Sequence, residues 1–522
     1  LEYYSCLNKL RLSSKKDTDP SINLLGVNIL INDISKIWEG SSEKDRVDSE
    51  LINASHRFHW ILEAVAENQD ANQINKILSI VEDWKEWTRN NKSTVAYQPY
   101  NISERISNLT VFYFILINNK LVSSKELSQM QDFLNSELIL LKDCLEYPAS
   151  NVINNHVLNN ARALYLGGHF VDRQDLVQLS ESIFRLHLPK MIDSDGFLRE
   201  GSSHYHLLLT RSLTEVLNIS NCRNDNKNFS IFIGKFANRM YQACFKLVPN
   251  NLIDKAEYPS IGDISPDIKF TWFNPINAKI EGWNKIWTIP FDEVIISICQ
   301  DKEGEWSVLN DKDWFCVNFV NTDSQTYPIG HSHRDFGSFV LYHKGQQIFT
   351  DIGRFSYDQV DCLDYSGEED YAHSGIFLDK LHSKEVESGF FSLLLVTEER
   401  EFQKTNTNFK WFYSSRKNKW SRECRAISND SFLVEDFVKA EQIYGCFYLS
   451  TNTKVVDQSN DKITISVGDS IYSINFTNVD DLFIESVDTF PSYGVIQPSK
   501  RVSWFLSCPH EGENIKIKIK EL

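Results

Sequence analysis

Up to about residue 250 the apolar positions recur every three or four residues. Ile74, Ile77, Leu78, Val81 and Trp84 form one such stripe, and Leu134, Leu138, Leu141 and Leu145 form another. That period is the mark of helices with one buried face. Pro99, Pro148, Pro189 and Pro249 punctuate these segments and predict a succession of helical hairpins. Beyond about residue 270 the pattern changes to short runs of β-branched and aromatic residues between turn signals. The runs are Phe315 to Val320, Ser338 to Tyr342, Gln347 to Thr350, Phe390 to Val396, Ile463 to Val467 and Ile515 to Lys520. Many short strands of this kind predict an antiparallel sandwich. The turn-rich stretch Tyr258-Pro-Ser-Ile-Gly-Asp263 leads into the change, so the expected division is a helical domain over 1–268 and a β-sandwich over 269–522. The fold class is therefore α+β and multidomain, as 522 residues also require.

Composition narrows the classes. Hydrophobic residues at 42% and charged residues at 24% are ordinary for a globular protein. The longest mostly apolar run, Leu109 to Ile117, is too short for a membrane span. A net charge of -17 argues against a phosphate-tracking surface and hence against nucleic acid. An anionic substrate then requires a locally basic cleft. The chain starts at leucine with no basic and apolar leader, so an export signal is expected to be removed or never present. Ten cysteines lie far apart without a C-x-x-C pair, which favours scattered free thiols and leans toward a reducing compartment.

Three runs carry candidate chemistry. A helix predicted over Val152 to Tyr165 puts Ile153, Val157, Ala161 and Leu164 on one stripe. Asn155, Asn159 and Arg162 then share another face, with His156 at its edge. The plain alternative is an interhelical hydrogen-bond cluster. Asp195 to His206 opens a second helix, with Ser202 or Ser203 as N-cap and Tyr205 in the first turn, where the helix-end potential favours a phenolate. His204 and His206 flank that tyrosine, suiting it to proton transfer, although a lone tyrosine there usually packs. If His331-Ser-His333-Arg-Asp335 is a strand, its His331, His333 and Asp335 share one face. His333, Asp351 and His373 form a set that would converge on one divalent metal. Two imidazoles and a carboxylate suit zinc and are also accepted by manganese or iron; a surface His-x-His is the plain alternative.

These pieces together resemble the heparinase II/III-like polysaccharide lyases. The matching segments are Tyr100-Asn-Ile-Ser-Glu-Arg-Ile106, Asn154-Asn-His156, Asp195-Gly-Phe through Tyr205-His206, Ile261-Gly-Asp263, His331 through Ser338, Thr350-Asp-Ile-Gly-Arg-Phe-Ser-Tyr357 and Ala372-His-Ser374. They fall in the family's order over most of residues 97–440. The resemblance implies an N-terminal incomplete (α/α) toroid, a C-terminal antiparallel β-sandwich and a cleft between them. It implies β-elimination on a uronic-acid polysaccharide: a glycosaminoglycan, an alginate or a bacterial exopolysaccharide. By the same resemblance Asn155 and His331 neutralise the uronate carboxylate. Tyr205 acts as base and acid on one face, and His156 is an opposite-face base for the other C5 epimer. His333, Asp351 and His373 hold a structural metal, usually zinc. Arg105, Asn159, Arg162, Arg199 and His206 are candidate substrate contacts, although ordinary salt bridges are the commoner use of such arginines. Arg334, Gly201 and His204 depart from the family's pattern and bear on the substrate subsite.

Two other functions compete. One is a hydrolase whose metal activates water, which needs an open metal position facing a cleft. The other is a non-catalytic or assembly-pathway polysaccharide-binding protein on the same fold. The resemblance implies a periplasmic or secreted protein, against the cytoplasmic lean of the cysteines. Oligomeric state and the identity of the polymer are not legible.

Overall fold

The computed structural model describes residues 7, 21–38, 48–67, 71–91, 95–147, 154–249, 257–273, 275–276, 282–291, 305–320, 330–358, 370–378, 399–415, 418–507 and 512–522. The N-terminal part begins with a hairpin, β1 (Ser21–Leu24) and β2 (Val27–Leu30), where the apolar pattern predicted helix only. Helices follow: α1 (Ser35–Trp38), α2 (Ser49–Arg57), α3 (His59–Glu67), α4 (Ala71–Asn90), α5 (Pro99–Asn118), α6 (Ser124–Asp143), α7 (Asn155–Phe170), α8 (Gln174–Met191), α9 (Ser203–Arg223) and α10 (Lys227–Lys246). A one-turn helix, α11 (Trp283–Ile286), comes after them.

Local sequence explains where these helices begin. Pro99 opens α5, where its missing N–H costs nothing. Ser123 and Glu126 form a reciprocal capping box on α6. The Asn154 side chain caps α7, so this helix starts three residues later than predicted and runs on to Phe170. Pro189 lies in the last turn of α8 and does not break it. Helix α5 is buried from Tyr100 to Leu116, so the apolar run Leu109 to Ile117 belongs to a central helix wrapped by α2, α3, α6 and α7. No helix among the described residues is long and apolar enough to cross a membrane.

The C-terminal part holds β3 (Trp306–Asp311), β4 (Trp314–Phe319), β5 (Val340–His343), β6 (Gln346–Thr350), β7 (Ile376–Phe377), β8 (Glu399–Lys404), β9 (Asn408–Ser414), β10 (Lys419–Ser428) and β11 (Ser431–Lys439). It continues with β12 (Gln442–Leu449), β13 (Thr453–Gln458), β14 (Lys462–Val467), β15 (Ser470–Thr477), β16 (Asp481–Ser492), β17 (Val495–Ser507) and β18 (Glu513–Glu521). One antiparallel sheet runs β13-β14-β15-β18-β11-β10-β9-β8. The other runs β16-β17-β12-β6-β5-β4-β3, with β7 beside β12. The predicted run Phe390 to Val396 lies outside the described residues.

Alternation explains how the layers stack. On β4, Phe315, Val317 and Phe319 join the core of the helical part, whereas Trp314 and Cys316 join the core between the sheets. Strand β5 divides likewise, with Val340 and Tyr342 on one side and Leu341 on the other. A strand buried on both faces reads as a continuous apolar run. On β18, Ile515, Ile517 and Ile519 are buried and the intervening lysines are exposed, as in a sheet with one wet face. The second sheet is therefore sandwiched between helices and the first sheet. The six described cysteines are free thiols.

Candidate active site

Three chain segments cross where the helical part meets the second sheet. Gly201 and Gly262 have φ of +73° and +72°. A Cβ at Gly262 would lie 2.3 Å from the Gly201 carbonyl oxygen and 2.6 Å from that of His331. Only glycine permits this approach, and it brings Glu200, Asp263 and His331 together. Backbone bonds secure the crossing: His331 N–H donates to Glu200 O (3.2 Å) and Asp263 N–H to His331 O (3.0 Å). The segment His331 to Asp335 is thus a loop and not the predicted strand, because its backbone bonds run to residues 200 and 263.

Tyr205 is placed as the sequence predicts. Ser202 caps α9, its Oγ accepting from Tyr205 N–H (3.0 Å) and donating to Asp263 O (2.7 Å). The phenol ring stacks on His331, with centroids 3.5 Å apart and planes at 14°. Its hydroxyl lies 2.8 Å from that of Tyr357. Burial pushes the phenol pKa well up, helped by Asp267 and Asp263 and opposed by the Tyr357 hydrogen bond. The free protein therefore presents a protonated phenol.

Tyr205 lines a pocket with Asn155, Asn159, Tyr100 and Glu104. Asn155 donates its N–H to Glu200 Oε1 (2.8 Å), and its own buried Oδ1 has no hydrogen-bond partner. Asn159 Oδ1 accepts from Arg162 (3.3 Å), leaving its buried Nδ2 without one. An unpaired buried amide is costly unless something completes it. His156 stands at the rim with its side chain 41% exposed, its Nδ1 3.2 Å from Glu146 Oε1 and its ring 4.6 Å from that of Tyr100. Asn155, His156, Tyr205 and His331 are thus gathered in one place.

Asp263, not singled out among the site residues, is the electrostatic hub. Its Oδ2 lies 3.1 Å from His331 Nδ1, and its Oδ1 accepts from His333 Nε2 and from Arg354 Nη1, both at 2.8 Å. Burial alone would raise its pKa. The hydrogen bonds from His331 and His333 and the charge of Arg354 outweigh burial and hold the carboxyl far below the ordinary range. Glu200 faces His331 from the other side, with Oε2 3.8 Å from Nε2. Burial pushes its pKa up, against the pull of His331. Arg354 also lies over the Tyr357 ring at 4.4 Å. The signal for Asp263, Arg354 and Tyr357 was present, since all three fall in the segments that carry the family resemblance.

Other candidates lie elsewhere. Arg105 is spent on Glu137 (2.8 Å and 2.5 Å) and on the carbonyls of His56 and Ala96. Arg162 is clamped by Glu215 (2.7 Å) and Glu104 (2.9 Å) and meets the pocket lining through Glu104 and Asn159. His206 points away from the cleft, its Nε2 3.1 Å from Met240 O and its Nδ1 accepting from Leu198 N–H. Arg105 and His206 are structural because their neighbours already use their polar atoms, whereas Arg162 keeps a buried Nη2 without a hydrogen-bond partner. Arg199 is exposed.

His333, Asp351 and His373 converge, with one ligand atom of each within 4.8 Å of the others. Asp351 follows β6, and its Oδ2 lies 2.8 Å from His373 Nδ1. The fit to a metal rests on His333. Its Nε2 is oriented by Asp263, and its buried Nδ1 has no hydrogen-bond partner, as expected of a lone pair reserved for an ion. Asp335 is buried nearby, its carboxyl pushed up to about 6 by burial against the pull of His373.

Comparison with known proteins agrees with this architecture. Residues 302–519 match the family described as heparinase II/III-like, C-terminal. No curated protein sequence matches the chain. Among solved structures, a heparinase III is similar with a TM-score of 0.65 at 14% identity, over 100% of this chain and 88% of that one. A mutant heparan sulfate lyase from Pedobacter heparinus gives 0.58 at 15% identity, over 93% and 78%. A chondroitin AC lyase of Streptomyces coelicolor A3, in complex with chondroitin sulphate, gives 0.50 at 8% identity, over 91% and 74%. At such identities the likeness is one of fold.

Proposed function

We propose that this chain, whose residues 302–519 match the heparinase II/III-like C-terminal family, is a polysaccharide lyase cleaving a uronic-acid polymer by β-elimination. The observation that carries the reading is the stack of Tyr205 on His331 beside the unpaired amide oxygen of Asn155 and amide nitrogen of Asn159. Elimination removes the proton at C5 of a uronate, and the electron pair left there expels O4. The carboxylate next to C5 must first be neutralised so that it can take up the developing charge. The donors for that neutralisation are His331 and the amide N–H groups of Asn155 and Asn159, while the unpaired Asn155 Oδ1, an acceptor, suits a substrate hydroxyl. Tyr205, protonated in the free protein, delivers the proton to the departing O4. For same-face elimination Tyr205 first loses its phenol proton to solvent as substrate binds, then takes the C5 proton as the phenolate beside the stacked imidazole and passes that same proton to O4. On the opposite face His156, oriented by Glu146, takes the C5 proton for the other epimer.

A divalent metal, which we take to be zinc, fits His333, Asp351 and His373 and would brace the loop that carries His331. Those donors are at most 7% exposed, so they support a structural ion over the open water-activating site that a hydrolase needs. We place the boundary between the two units at residues 268 and 269, between the end of α10 and the start of β3. Incubation with glycosaminoglycans, alginates and bacterial exopolysaccharides, read by ultraviolet absorbance of unsaturated uronate, tests the proposal. Absorbance that rises on one class supports it. Tight binding without product across the panel would favour the non-catalytic reading.

A further inference from the structure

The two walls of the cleft are joined at one end. Tyr357, which meets Tyr205, is flanked by Ser356 and Asp358, and both reach across to the start of α2. Ser356 Oγ donates to Asp48 Oδ2 (2.5 Å), while Ser49 donates its N–H and Oγ to the two oxygens of Asp358 (2.8 and 2.9 Å). Asp48 is at the same time the N-cap of α2, its other oxygen accepting from Glu50 N–H (2.8 Å), so the contact is anchored in a helix end. Behind it, buried Tyr493 accepts from Tyr357 N–H (2.8 Å) and donates to Ser356 Oγ (3.2 Å). Next to Tyr493 the β1–β2 turn meets the β16–β17 turn backbone to backbone. A Cβ on Gly26 would lie 2.6 Å from Gly494 O, and one on Gly494 would lie 2.1 Å from Leu25 O. Tyr357 and Tyr493 also pack on the core of the helical part, so the junction has an apolar base beneath its polar bonds. His156, whose ring lies 4.6 Å from that of Tyr100 in the pocket lining, has a side chain 41% exposed to solvent.

From this asymmetry we infer that the cleft is blind beyond Tyr357 and that the substrate is the end of a polymer chain. A polysaccharide running through the cleft would have to pass between walls that are hydrogen-bonded within one residue of Tyr357. A chain end entering past His156 need not. The inference rests on the proposed lyase activity and deepens it: cleavage is exolytic, releasing one short unsaturated oligosaccharide per event.

The test is a time course of product size and solution viscosity on whichever uronate polymer is cleaved. The expected result is a single short unsaturated product from the earliest time, with viscosity falling only in proportion to bonds cut. A ladder of intermediate sizes with viscosity collapsing in the first per cent of cleavage overturns the inference while leaving the lyase reading intact. No unsaturated product on any polymer overturns both. A second arm locks the junction by Ser49→Cys together with Asp358→Cys. The oxidised protein is expected to yield the same short product as the reduced one. Turnover lost on oxidation and restored by reduction would show that the walls must part for substrate, and would overturn the blind cleft.

Discussion

In the proposed elimination Tyr205 both takes and gives the proton, and its surroundings set what replacement does. Tyr205→Phe keeps the ring that stacks on His331 and removes only the hydroxyl paired with Tyr357. Turnover is expected to fall by roughly 10²–10⁴-fold, the range of a lost proton-transfer group. Thermal unfolding should change little; a fall in activity matched by loss of fold would contradict the assignment. Asp263 is the opposite case, a stabilising charge. Asp263→Asn leaves two histidines and Arg354 without their carboxylate and should cost about 3–5 kcal/mol in denaturant unfolding at neutral pH. The sign with pH follows from its depressed folded-state pKa against an ordinary value of 3.8. The unfolded chain takes up the proton first as pH falls, so the contribution is full above about pH 4 and fades below it. The native and Asp263→Asn proteins should therefore converge in stability in acid. A gap that stays constant from pH 7 to pH 3 would show that Asp263 acts through shape alone.

At the scale of elements, the helix that carries Tyr205 was legible and the loop that carries His331 was not. Ser202 followed by a leucine-rich run announces an N-cap and a first turn, and the structure places Tyr205 there. The run His331 to Asp335 alternates like a strand, but the alternation of a few residues says nothing about where the backbone bonds go. Here they go to Glu200 and Asp263, from segments about 130 and 70 residues earlier. The same limit hid the partners of Arg105, Arg162 and His206, because a charge or an imidazole on a buried helix face does not reveal which neighbour consumes it. Ser202→Ala should show how the cap serves the site. It removes one bond to Tyr205 N–H and one to Asp263 O, costing about 1–2 kcal/mol. Since both bonds position site residues, activity should fall more steeply than stability. An activity unchanged in a measurably destabilised protein would separate the cap from the site.

For the whole molecule, the change from a period near 3.6 to a period of two was enough to read helices followed by sheets, and the structure has that order. The β1–β2 hairpin escaped because four-residue strands leave too little pattern to read, and it is this hairpin that helps close the cleft. His333, Asp351 and His373 were found as a set because three donor types recur near strand ends. On the proposed reading, an ion held by this set serves the stability of the sheet more than the chemistry. A chelator should lower the melting temperature, with zinc restoring it, while the protein still folded at low temperature keeps most of its turnover. Activity that vanishes at once on chelation with the fold intact would make the ion part of the reaction.

The most direct test of elimination as the reaction is the mass of the new chain end formed by the native, metal-replete protein on a responsive polymer. The account predicts a product lighter by one water than hydrolysis would give, bearing an unsaturated uronate. A saturated end that has gained water would contradict it and move the chemistry to the metal.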